Sequence, residues 1–143
     1  MKKILLLQIS ILAGLSMQAQ RFFYVESGNM AERPVKEHLL KASQFVSPTP
    51  LMSDYTINTE IDFKKETNTA SVKIILKDSL TFKTIYQANE AYEFGVTTLS
   101  PEILLSMAMK ILIEENIDQI ISQARDHHFN NGTHLIEKKK GKI

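Results

Sequence analysis

Asp126, His127, His128 and His134 are the grouping in this sequence whose residue types suit a metal site, because neutral imidazoles and a carboxylate are zinc donors. Their spacing argues otherwise. Adjacent histidines on a helix diverge by about 100°, and the pattern matches no zinc motif. A solvated helix end, with imidazoles near the negative pole of the helix dipole, accounts for them. Glu60 and Asp62 sit two apart in an alternating segment, so a strand holds them about 7 Å apart on one face. Such a pair has the chemistry for acid–base work, but the same alternation marks an ordinary water-facing strand surface. His38, beside Glu37, reads as a boundary residue of a helix. The chain has no cysteine, so thiol catalysis is excluded. Its serines lack a G-x-S-x-G setting, and its five glycines form no phosphate-binding loop. The sequence assigns no catalytic residue, no metal ligand and no cofactor.

The elements that position these residues follow from periodicity. Arg21 to Glu26 is a short apolar and aromatic run that predicts a buried strand. A helix is expected over Glu32–Val46, with Pro34 in its first turn and a buried stripe of Val35, Leu39, Ala42 and Val46. Ser47-Pro48-Thr49-Pro50 stops it. Tyr55, Ile57, Thr59, Ile61 and Phe63 alternate with polar residues, which predicts a strand with one face in the core. Val72, Ile74 and Leu76 continue as a second strand. Leu80, Phe82, Thr84, Tyr86 and Ala88 form a third, completing an antiparallel meander. Ser100-Pro101-Glu102 is a helix start, and that helix is expected to reach His127 or His128. Asn131-Gly132-Thr133 has the form of a glycosylation sequon but reads as a turn. Met107 and Met109, and with them Met52, read as core filler. The fold class is α+β. The expected architecture is a two-layer sandwich in the order β-α-β-β-β-α, with a mostly antiparallel sheet of about four strands and both helices on one face.

The ends differ from this body. Lys2 and Lys3 precede an apolar run from Ile4 to Leu15, and Ser16-Met17-Gln18-Ala19 reads as a cleavage region. This is the order of a bacterial secretory signal peptide over residues 1–19, and the run is too short for a comfortable membrane span. Residues 20–136 form the expected single domain, and 137–143 a basic tail holding Lys138, Lys139, Lys140 and Lys142. Of the 16 acidic residues, all but Glu137 lie in the body, whose net charge is about −4. That balance excludes a dedicated nucleic-acid surface. The expected location is the periplasm or the exterior, with no transmembrane segment in the mature chain.

Three stretches resemble a group of bacterial envelope proteins. Phe23-Tyr24-Val25 before a helix is similar to their opening unit. Ser53-Asp54-Tyr55-Thr56-Ile57 is similar to an A-D-Y-x-hydrophobic strand entry. Asp78 to Ile85, following Val72, is similar to a D-x-x-T-G-K-hydrophobic hairpin. The group comprises curli-secretion-channel-like proteins, penicillin-binding-protein activator lipoproteins and the N-terminal domain of the Tol-system propeller protein. Phe82 stands where that pattern has glycine, the lipid-carrying cysteine is absent, and the chain is shorter than the channel-forming members. The resemblance implies a non-catalytic periplasmic adaptor for another envelope protein, and carries over no functional residue.

Three functions are therefore weighed. The first is an exported binding or assembly module, partnered by another envelope protein or by itself. Its expected interaction surface is Ile113, Ile117, Ile120 and Ile121, a stripe on the last helix rotated away from Leu104, Leu105 and Met107. The second is a carrier for a small apolar ligand in a pocket beneath Phe63, Tyr86 and Leu104. The third is a small exported metal-dependent hydrolase using Asp126, His127, His128 or His134.

Overall fold

The computed structural model describes residues 21–140, with side chains through Asn130. The signal segment expected over 1–19 lies outside the described residues, as do 141–143 of the tail.

Strand β1 (Phe22–Val25) is followed by helix α1 (Glu32–Lys41), the short strand β2 (Phe45–Val46) and a 3-10 turn at Pro50–Met52. Three long strands, β3 (Tyr55–Lys64), β4 (Thr69–Asp78) and β5 (Thr84–Glu93), precede helix α2 (Pro101–Lys140). The sheet has five strands in the order β2-β1-β3-β4-β5. β1 pairs in parallel with both β2 and β3, and β3, β4 and β5 form the expected antiparallel meander. α2 packs across β3, β4 and β5 and against α1, which also covers β1 and β2. The helices thus form one layer, and the α+β sandwich stands.

The fifth strand arises where α1 stops early. The helix does not reach Val46. Ser43 adopts φ 59°, and its N–H donates to Leu40 while Gln44 N–H donates to Leu39. These paired bonds to the last turn are a Schellman ending. They release Phe45 and Val46 to pair beside Phe22 and Phe23. At the other end, Asn29 sets the entry to α1. Its Oδ1 accepts the Ala31 N–H, while its Nδ2 donates to the Thr59 carbonyl and hydroxyl.

The core lies between sheet and helices. Phe23, Val25, Val35, Leu39, Ile57, Ile74 and Leu76 meet Ala108, Met109, Leu112 and Ala124 there. Ile113, Ile117 and Ile120 are in the same core, and Ile121 packs partly buried against it. The stripe expected to be an interaction surface is therefore inward-facing. Sheet and α1 cover α2 from two sides, so about half its circumference is buried, wider than the roughly 100° stripe of a helix lying on one neighbour. Met107, expected in the core, is on the outer face instead.

Candidate functional site

The starts of β1, β2 and β3, the end of β4 and the start of β5 lie at one end of the sheet, fixed by the strand pairings. We call this end the base. The β4–β5 connection there is a tight loop, not strand. Asp78 Oδ1 accepts the N–H groups of Leu80 at 2.8 Å and Thr81 at 2.9 Å. Phe82 N–H donates to the Asp78 carbonyl and closes the loop with φ 59°. Leu80 and Phe82, expected within a strand, consequently stand in water at 87% and 77% exposure. The 3-10 turn adds Leu51 and Met52, at 97% and 70%. The two loops are tied together: Ser79 N–H donates to the Asp54 carbonyl, and the Ser53 and Ser79 hydroxyls are 2.8 Å apart.

Behind this apolar rim sits a polar cluster. Tyr55 is buried, and its hydroxyl lies 3.2 Å from His127 Nδ1. The rings meet edge to face, with centroids 5.8 Å apart. Asp78 Oδ2 is 3.8 Å from the same nitrogen. Burial, reinforced by the charges of Asp78 and Asp54, holds the Tyr55 phenol well above its ordinary pKa of 10.0. The phenol therefore stays protonated and is unsuited to act as a base. Arg21 lies beside Tyr55 and Asp54, and its Nε is buried without a partner among the described residues. The cluster pins the far part of α2 to the sheet, a structural task requiring no substrate.

The other candidates fall apart as sites. No three His, Asp or Glu side chains among the described residues converge on a point that could hold a metal. Asp126 faces Arg125 at 3.8 Å, His127 turns inward to Tyr55, and the side chain of His134 is outside the described set. Glu60 and Asp62 are exposed on the face of the sheet away from the helices. They border a shallow depression of about 460 Å³ together with Ser71, Lys73, Asn89 and Ala91. Lys73 Nζ approaches Glu60 at 3.6 Å. His38 Nδ1 is 2.9 Å from the Pro34 carbonyl. Phe63 and Tyr86 pack partly buried against the core, and Leu104 is buried. Among the described residues, no helix is long and apolar enough to cross a membrane. Backbone helix continues through Asn131-Gly132 to Lys140, where the sequence suggests a turn and a loose tail.

A second apolar surface lies on α2. Ile103, Met107 and Ile111 recur every four residues and are 47%, 42% and 37% exposed. They occupy the side of the helix opposite its buried arc. The sequence signal for them exists, since their spacing is as regular as that of the buried residues. Periodicity alone does not say which of two apolar stripes is covered.

No family model matches the chain, and no curated protein does. Solved structures do resemble it. A Xanthomonas campestris protein of the DUF330 family superposes with a TM-score of 0.53 at 9% identity, over 76% of this chain and 87% of that one. The PelC dodecamer protein from Paraburkholderia phytofirmans gives 0.46 at 11% identity, covering 67% and 86% of the two chains. Lipoprotein GNA1162 from Neisseria meningitidis gives 0.43 at 14% identity, covering 70% and 96%. The first of these shows a shared fold.

Proposed function

We propose that this chain is an exported, non-catalytic binding module of the bacterial cell envelope, engaging a protein partner through the outer face of α2. The observation that carries the reading is the stripe of Ile103, Met107 and Ile111, exposed on the outer face of α2. Spaced one helical turn apart, these side chains form a continuous ridge of the kind that seats in a groove. The reading draws further support from the signal-like leader and from the ionisable residues, which are dispersed or engaged in holding α2 to the sheet. A second copy of the chain and a different envelope protein are both partners of this chemistry.

The test compares the chain with an Ile103→Asp, Met107→Asp double variant. Both positions are solvent-facing, so the thermal midpoint should stay within about 2 °C. The reading expects self-association in sedimentation equilibrium, or co-purification of a discrete envelope protein, and its loss in the double variant. Equal behaviour of the two chains would refute it.

A further inference from the structure

We propose that the base of the domain rests on the surface of an anionic phospholipid bilayer, with Leu51, Met52, Leu80 and Phe82 entering the headgroup boundary. This goes beyond partner binding at α2 and does not depend on it. Three observations converge on the same end of the molecule.

The first is the apolar rim. Four large side chains project from two loops that are hydrogen-bonded to one another. They are presented together on a stiff support, unlike scattered exposed residues, which need no explanation. Phe82 is the sharpest case. It holds a left-handed backbone conformation that glycine adopts freely and a bulky residue resists, and its exposed ring gains little packing in return.

The second is charge. The base carries Arg21, Lys41, Lys77, Lys83 and Arg125 against Asp54, Asp78 and Asp126. The opposite end carries Glu26, Glu66, Glu93 and Glu102 against Lys64 and Lys65. The ion pairs Glu32–Lys36 and Arg33–Glu37 on α1 cancel internally. The molecule is thus polarised, with its positive end at the apolar loops, which is the complement of an anionic lipid surface.

The third is the course of the chain. The described chain begins at the base, with Arg21 leading into β1. α2 runs toward the same end, and its backbone continues to Lys140, about 20 Å beyond His127 at helical rise. In the sequence, Lys138, Lys139, Lys140 and Lys142 lie C-terminal to Phe129. Apolar side chains combined with a polybasic segment are the two signals that together hold a protein at a membrane surface.

The experiment is flotation of the chain from Gln20 onward, which contains every core residue, with two kinds of vesicle. One is phosphatidylcholine alone, and the other contains about one-third phosphatidylglycerol, enough to supply a negative surface potential. Binding to the anionic vesicles is expected, falling at least about tenfold as salt rises from about 0.05 M to 0.5 M. A Leu80→Ser, Phe82→Ser variant should lose about tenfold or more in partition coefficient. Leu51→Ser, in the other loop, should lose a smaller amount while the hairpin stays intact. Absence of binding to anionic vesicles, or binding that both variants leave unchanged, overturns the proposal. So does a concentration-dependent dimer that the hairpin variant abolishes, which would assign the rim to a second copy. Loss of the α2 interaction with vesicle binding intact leaves this inference standing and removes the other.

Discussion

Replacing Phe82 with glycine should make the protein more stable and less able to bind anionic membranes. Phe82 sits at φ 59°, where an L-residue is disfavoured by about 1–2 kcal/mol because Cβ crowds the neighbouring carbonyl. Glycine removes that cost but adds unfolded-state freedom worth about 0.5–1 kcal/mol. Phe82 is 77% exposed, so truncation forfeits little burial. The net expectation is a gain of about 0.5–1 kcal/mol. For a domain of this size that corresponds to roughly 2–5 °C in thermal midpoint. Urea and thermal unfolding followed by circular dichroism measure it, and the same preparation is then tested for vesicle flotation, where a loss of about threefold or more is expected from removing one aromatic side chain. Destabilisation would refute the backbone argument. Stabilisation with undiminished vesicle binding would refute the account of why a strained phenylalanine is kept there.

Other outcomes follow from the packing. Ile113→Ala should cost about 2–4 kcal/mol, since the side chain is fully buried, whereas Met107→Ala should change stability by no more than about 0.5 kcal/mol; chemical denaturation separates the two. Tyr55→Phe keeps the buried ring but removes the contact with His127, and should cost about 1 kcal/mol. The Tyr55 phenol is raised in the folded state above its ordinary value of 10.0. Its contribution is thus fully present below pH 10 and declines as pH rises toward the folded value, because the unfolded chain releases the proton first. Tyr55→Phe should flatten that alkaline decline, read from denaturation midpoints between about pH 9 and 11. Dialysis against a chelator should leave the thermal midpoint unchanged, checked by scanning calorimetry, as expected if His127 is held by Tyr55 and Asp78.

Much of the architecture is legible in the residues. The alternation of Tyr55 through Phe63 specifies β3 and its inward face, and Ser100-Pro101-Glu102 marks the start of α2. Two features mislead. Ala42 and Val46 extend the apolar stripe of α1 past its end, but the left-handed turn at Ser43 is a backbone event that the stripe does not encode. Leu80 and Phe82 keep a two-residue alternation with Thr84 and Tyr86, so the hairpin loop looks like strand. Only the capping by Asp78 and the left-handed Phe82 reveal otherwise. That substitution within the resembled hairpin pattern, phenylalanine in glycine's place, is the trace of the basal surface in the sequence. Which apolar stripe of α2 is covered is equally ambiguous in the sequence. Ile113, Ile117 and Ile120 and the set Ile103, Met107, Ile111 are both regular, and the position of α1 decides which is covered.

Photo-crosslinking in the intact envelope examines the functional proposal most directly. A benzophenone amino acid is placed at Met107 on α2, at Phe82 in the basal loop and at Gln87 on the open face of the sheet. The account expects a discrete protein adduct at Met107 that disappears with Ile103→Asp, lipid adducts at Phe82, and neither at Gln87. A protein adduct at Gln87 with none at Met107 would contradict it.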